Sequence, residues 1–305
     1  MAQLTKNAIL YVPDEDVHIK AVVQIVHDMA EHQFRYKSLS LFLTEHGYAV
    51  ITSDLRGHGE TVDYETDLGF FGDNAVNRLV GDVHDITIYV KNTFKDVPYI
   101  LLGTGMGSLI LTAYLKKYDN FIDGLFLLGM PADRSMRKAE QLMLIVLKLL
   151  KGEYYRPKMI DSAIVGGWAK NFKREGLEFA WLSSDRDQVL KYENDPRCGY
   201  IYTVNGFTAL LDLFEQAYEK GSWVKKQLSL PIRLFAGEKD PCIPSFSKYM
   251  NSVNLFTGQG YEDVAYIRYN GQRHDILHDL ALKRVYNDIL SQLEDITDAS
   301  CFHSR

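Results

Sequence analysis

The chain has 305 residues, 46% of them hydrophobic, enough for a large core, and a single α/β domain carrying an insertion is expected rather than two independent domains. A net charge of −6 without any basic cluster argues against nucleic acid as a partner. Cys198, Cys242 and Cys301 are widely spaced and odd in number, which fits reduced thiols better than a disulfide framework or a zinc site. The N-terminal Met-Ala-Gln-Leu-Thr-Lys-Asn lacks the basic and apolar regions of a signal peptide, so a cytoplasmic protein is expected.

β-like runs at 7–12, 20–26, 48–53, 98–102 and 124–130 alternate with helical patterns at 35–46, 75–94 and 108–117. That alternation predicts a doubly wound, mostly parallel sheet. From Pro131 to about Lys220 strand signals stop and helical ones take over, and strands return at 231–237 and 264–269. The expected organisation is therefore an α/β core of residues 1–130 and 221–305, with a helical cap of residues 131–220 set over the C-terminal ends of the strands. The tail from about Asp295 reads as frayed.

Within the insertion, Gln141 to Leu150 is strongly apolar but too short to span a bilayer, and Lys148 interrupts it. A buried cap helix, the lining of an acyl pocket and a transient contact with a membrane surface all remain open for it. Leu142, Leu144, Ile145 and Trp181 are the residues expected to meet a ligand. The apolar and aromatic character of this region suits an acyl or aromatic substrate better than a sugar or nucleotide.

The chemistry centres on Gly103-Thr104-Gly105-Met106-Gly107-Ser108. An apolar strand feeds this turn and a buried helix leaves it, the context of a nucleophile elbow G-x-S-x-G, yet Gly105 stands where the reactive serine belongs. A phosphate loop is the competing reading of a glycine-rich βα turn, but no Lys-Ser or Lys-Thr follows, and Ser108 breaks the dinucleotide spacing. Further along, Asp240 follows a strand that ends in Gly237, and His274 follows another, just before a helix. Such residues are ordinarily turn formers or satisfied side chains, but their order after an elbow is that of an acid and a histidine in a hydrolytic triad. After the strand at 20–26 comes His27-Asp28-Met29-Ala30-Glu31-His32, and the N–H groups of Met29 and Met106 hold the two positions from which an oxyanion is stabilised. His27 and His32 flank a carboxylate, but they lack the helical spacing of a zinc motif, and no metal or other cofactor is expected.

With these motifs in place, the sequence resembles the bacterial monoglyceride lipase and lysophospholipase-like α/β-hydrolases, of the serine aminopeptidase type. HDMAEHQFRY (27–36) resembles HGMAEHxxRY, DLRGHG (54–59) matches D-x-R-G-H-G, and GTGMGS resembles GHSMGS. Asp240-Pro241 and Arg273-His274-Asp275 are similar to the acid and histidine motifs. The resemblance implies a carboxylic ester hydrolase acting on a small acyl ester, in which residue 105 attacks, His274 moves the proton and Asp240 orients the imidazole. Three positions depart from it. Thr104 replaces a histidine taken to be peripheral. Asp28 replaces a glycine, and a carboxylate about 4 Å from a developing oxyanion would oppose it by roughly 1–4 kcal/mol. The Asp28-x-x-Glu31 spacing predicts instead that Asp28 turns away and caps the following turn. Gly105 removes the nucleophile. Two accounts of that loss follow: a variant in which the serine was replaced, favoured by the retention of acid, histidine and elbow, or a natural protein that binds an acyl ligand without turning it over.

Overall fold

Strands such as Ala-Val-Val-Gln-Ile-Val and Gly-Leu-Phe-Leu-Leu offer no polar face, so they need cover on both sides, which a parallel sheet between two helical layers provides. The structure, a computed structural model, describes residues 7–134, 136–221 and 223–303. In chain order its elements are β1 (Ala8–Tyr11), β2 (Ala21–Val26), α1 (Lys37–Glu45), β3 (Tyr48–Ser53), α2 (Ala75–Thr93), β4 (Tyr99–Thr104), α3 (Met106–Tyr118) and β5 (Gly124–Leu128). There follow α4 (Arg137–Lys151), α5 (Lys158–Ala169), α6 (Arg186–Glu193), α7 (Val204–Tyr218), β6 (Ile232–Gly237), α8 (Phe246–Thr257), β7 (Val264–Tyr269) and α9 (Leu282–His303).

The sheet order is β1-β3-β2-β4-β5-β6-β7, with β1 antiparallel to β3 and every other pair parallel. This is the α/β-hydrolase fold read from the sequence. The order reverses between β2 and β4, and the crevice outside their C-terminal ends is where such sheets place ligands. Pairing of Val26 with Gly103 brings the loops after these two strands side by side. Separate apolar clusters cover the two faces of the sheet.

The segment 131–220 is helical and contains no strand among the described residues. Its last helix, α7, packs on α3 and α2 as well as on α4, so it joins the helical layer of the sheet. The fraying expected from Asp295 is not observed, because Ile289, Leu293 and Ile296 anchor α9 on the sheet and the helix runs on to His303. Side chains from residue 299 onward, including that of Cys301, lie outside the described residues, as do Met1 to Lys6. Among the described residues no helix is long and apolar enough to cross a membrane.

Helix α3 is buried from Met106 to Lys116, and it lies hard against the end of β2. A Cβ on Gly107 would stand 2.2 Å from the carbonyl oxygen of Val26, which no real contact allows. Alanine in a helix interior ordinarily gains up to about 1 kcal/mol over glycine. At this position overpacking dominates, and Gly107→Ala is expected to cost about 1–3 kcal/mol, read as a lower denaturant midpoint at unchanged slope.

Candidate active site

The loop after β2 is held by partners on all sides. His27 accepts from the Leu55 N–H through Nε2 at 2.9 Å and donates from Nδ1 to the Asp28 carbonyl oxygen at 2.7 Å. Ala30 sits at φ 48°, a left-handed conformation that costs a residue with a Cβ about 1–3 kcal/mol. It is clamped there from the insertion: its N–H donates to the Tyr202 hydroxyl at 3.0 Å, and its carbonyl accepts from Gly199 N and the Tyr192 hydroxyl, both at 2.9 Å. Glu31 takes the Asp28 N–H at 3.0 Å and the Tyr36 hydroxyl at 2.5 Å on one oxygen, and Arg35 at 2.7 Å on the other. Arg35 reaches on to Asp275 at 2.5 Å, next to His274, so one buried network ties this loop to the loop after β7. Thr104 bonds to Tyr36 in the same network and lines the cleft, so it is not the peripheral position expected.

Asp28 does not turn away. Half of the expected capping box forms, the Asp28 N–H bonding to Glu31, but the Asp28 side chain points across the strand ends. Its Oδ1 accepts from both Met29 N and Met106 N at 2.6 Å, so the two N–H groups singled out in the sequence converge on one atom. Its Oδ2 lies 2.9 Å from His274 Nε2, and His274 Nδ1 lies 2.9 Å from Asp240 Oδ2. The other Asp240 oxygen accepts from Cys242 N at 2.8 Å. The result is a continuous row, Asp28 to His274 to Asp240, with side chains 13%, 4% and 0% exposed.

Gly105 completes this arrangement by having no side chain. It adopts φ 46° and ψ −113°, the strained turn expected of an elbow, and a Cβ there would fall 2.0 Å from Asp28 Cγ and 2.2 Å from Asp28 Oδ2. The carboxylate therefore fills the space above residue 105. It also caps the N-terminus of α3, where unsatisfied N–H groups and the helix dipole favour an anion. Burial alone would lower the pKa of His274, but Asp240, Cys242 and the hydrogen bonds to Asp240 and Asp28 together hold it well above the ordinary histidine value. A carboxylate oxygen faces each His274 nitrogen, an arrangement that favours the protonated ring with both N–H groups donating.

The cleft above encloses about 720 Å³, its mouth included, and the insertion roofs it with Asp161, Val165, Phe179, Trp181, Tyr192 and Tyr200. Trp181 packs 5.3 Å, centroid to centroid, from His274. The other three ligand residues expected in the insertion are misplaced: Leu144 is buried in the core away from the cleft, and Leu142 and Ile145 are 64% and 57% exposed. Helix α4 presents its apolar flank outward, a direction that residue type alone does not encode. Asp161, in the lining, has its carboxyl pushed up to about 6 by burial and by Glu178. Among the described residues two clusters could offer metal ligands, Asp240 with Cys242 and His274, and His32 with Asp195 and Cys198. In the first, both His274 nitrogens are already committed to carboxylates. In the second, the Arg35 guanidinium lies close enough to act on the Cys198 thiol. His27 takes part in neither.

Fold and site together define an α/β-hydrolase with Gly105, which has no side chain, at the turn between β4 and α3. Residues 17–281 match the family described as serine aminopeptidase, S33, and the chain belongs to that family. It is 25% identical over 283 residues to a monoacylglycerol lipase of Mycolicibacterium smegmatis, spanning 92% of this chain and 90% of that protein. It is 25% identical over 281 residues to the monoglyceride lipase of Mus musculus, spanning 90% and 81%. A highly thermostable carboxyl esterase from Bacillus coagulans, solved in complex with glycerol, matches 97% of both chains with a TM-score of 0.86 at 26% identity. The family, these two lipases and this esterase together indicate a hydrolase.

The ion row has a signature in pH. A raised histidine pKa contributes stability that is fully present below the unfolded value of about 6.5 and lost as pH rises through the folded value. Asp28→Asn removes one of the groups holding that pKa up. Its stability deficit relative to the unmodified chain is expected to be largest near about pH 6, at about 1.4 kcal/mol per pKa unit removed, and to shrink at higher pH. Denaturant midpoints from about pH 6 to alkaline pH measure it, and a deficit independent of pH contradicts the imidazolium.

Proposed function

We propose that this chain is a natural hydrolase-family protein that binds a small acyl or otherwise apolar ligand in its cleft and does not hydrolyse esters by serine chemistry. One observation carries the reading: Asp28 Oδ1 occupies the point where the Met29 and Met106 N–H groups meet, in space that Gly105 leaves free. A substrate carbonyl oxygen has to sit at that point for acyl transfer. Here the position is taken by a covalently attached anion that no substrate can displace by mass action.

The same geometry weighs against a single serine replacement in an otherwise ordinary esterase. A serine at 105 would drive its Cβ into the Asp28 carboxylate, so the two departures from the family pattern form one steric unit. In this reading residues 131–220 act as the lid, and Gly105, Asp240, His274, Met29 and Met106 keep the positions of the esterase machinery. The family likeness to monoacylglycerol lipases supports an acyl ligand, as do the aromatic walls of the cleft. The outward apolar flank of α4, with Leu149 and Leu150 81% and 73% exposed, supports transient contact of the lid with a lipid surface.

Activity against short-chain and medium-chain p-nitrophenyl esters tests this. The unmodified chain and Gly105→Ser alone are both expected to be inactive, the latter because the hydroxymethyl group and Asp28 compete for one space. Asp28→Gly combined with Gly105→Ser is expected to raise kcat by several orders of magnitude, since loss of a triad nucleophile costs about a millionfold in the subtilisin case. Ester hydrolysis by the unmodified chain, or full activity of Gly105→Ser alone, overturns the reading.

The lid makes a separate prediction in the doubly substituted enzyme. Trp181→Ala is expected to shift the chain-length preference by tenfold or more, at about 1–3 kcal/mol of lost apolar contact. Leu142→Ser and Ile145→Ser, on the outer flank, are expected to leave kcat/KM for soluble esters within about twofold. A reversed pattern, read from kcat/KM across chain lengths, places the ligand elsewhere.

A further inference from the structure

The row Asp28, His274, Asp240 has more order than a blockage requires. Asp28 Oδ1 sits on the two converging N–H groups, Oδ2 sits on the imidazolium, and Cγ lies between them, facing the cleft. In acyl transfer the atom so placed is the carbonyl carbon under attack, with its oxyanion in the N–H pair and its leaving oxygen beside the histidine. The centre is therefore arranged to hydrolyse an ester of its own Asp28 side chain.

Such an ester forms when a carboxylate attacks a saturated carbon bearing a leaving group. From this, and resting on the reading that Asp28 has displaced serine chemistry, we infer that Asp28 is the nucleophile of a hydrolase acting on small apolar epoxides. An epoxide fits for two reasons. Its opening needs one proton, which the doubly bonded His274 already carries, and its leaving oxygen stays tethered to the product, so no separate exit for an anion is needed. The cleft walls are aromatic, and Trp181, packed against His274, has a buried indole N–H without a partner among the described residues.

The cycle balances on these groups alone. Asp28 Oδ2 bonds to a ring carbon from the side opposite the ring oxygen, the ring carbon–oxygen bond breaks with its electron pair going to oxygen, and rotation about the carbon–carbon bond of the opened ring brings that oxygen to the Nε2 proton of His274, which it takes. The product is a hydroxyalkyl ester of Asp28 beside a neutral imidazole. Losing the Asp28 charge removes one of the influences that held the His274 proton, so the same step that uses the acid creates the base. His274 then takes a proton from water as the hydroxide adds to Asp28 Cγ, and the electron pair moves onto Oδ1 between Met29 N and Met106 N. Collapse expels the diol oxygen from Oδ2 with the proton from His274, and the Asp28 carboxylic acid returns its own proton to the imidazole. The sum is epoxide plus water to vicinal diol.

The experiment uses the full chain with 1,2-epoxyhexane and with styrene oxide in water enriched in oxygen-18. The expected result is diol formation together with heavy oxygen in the peptide carrying Asp28, because water attacks Cγ rather than the substrate. Asp28→Asn, checked for folding by its melting temperature, is expected to lose diol formation by a hundredfold or more. Asp240→Asn keeps nucleophile and imidazole but weakens the base, and it is expected to accumulate an Asp28 adduct with the mass of the epoxide. Diol without label in Asp28, an adduct on another residue, or neither diol nor label with both epoxides overturns the inference. Because the ester assay scores serine chemistry separately, an inactive chain in both assays refutes the epoxide step while leaving the occupied oxyanion site standing.

Discussion

Two backbone N–H groups, from the first residue of α3 and from the loop after β2, point at one place, and the whole site is organised by which oxygen stands there. In an acyl-transfer enzyme that oxygen arrives with the substrate and becomes charged only in the transition state, which is why the donors accelerate the reaction. In this chain it is Oδ1 of the Asp28 side chain. Both donors are fixed by the fold itself, since the β2·β4 pairing and the burial of α3 leave neither free to move. The anion had to fit the donors, and it fits because Gly105 has no Cβ.

A buried carboxylate is costly unless it is paired and hydrogen-bonded. Asp28 receives two N–H bonds, the favourable end of α3 and an imidazolium, and the imidazolium is in turn held by Asp240 and Asp240 by Cys242 N. No member of the row can be neutralised without exposing its neighbour as an uncompensated charge, a situation worth several kcal/mol in buried pairs. That mutual dependence links the protonation of His274 to what is bonded at Asp28, which is the coupling the inferred epoxide cycle uses.

Much of this was legible in the sequence because strands buried on both faces leave unbroken apolar runs, and the boundaries read from them lie within about two residues of those observed. The elbow, the late aspartate and the late histidine were legible through order and flanking strands. Asp28 was not, since its spacing to Glu31 predicts a local cap, and half of that cap exists. What decides its side chain is Met106 N, 78 residues away, a contact no local spacing encodes. A usable signal was nonetheless present: one motif position gains a carboxylate where glycine is usual, and another gains glycine where a side chain is usual. Opposite changes of size at two positions that the fold places together are the mark of a repacked site. Leu142 and Ile145 failed for a different reason, because an apolar helix does not announce which of its flanks faces the core.

The steric unit also constrains the route by which such a site arises. Asp28 in its observed position tolerates no Cβ at 105, so an aspartate entering beside an intact serine would have to point elsewhere or push the elbow apart. Loss of the serine side chain first leaves a glycine that relieves the strain of φ 46° while keeping both oxyanion donors unaltered. An aspartate arriving afterwards meets two unsatisfied N–H groups and a histidine already aligned by Asp240. The loop that carries it is clamped from the 131–220 segment through Ala30, by Gly199, Tyr192 and Tyr202, and joined to the histidine loop through Glu31, Arg35 and Asp275. Those ties hold the backbone on both sides of Asp28 and so fix where its carboxylate can reach. A carboxylate at position 28 in this pose and a residue without a Cβ at 105 therefore stand or fall together, whichever change came first.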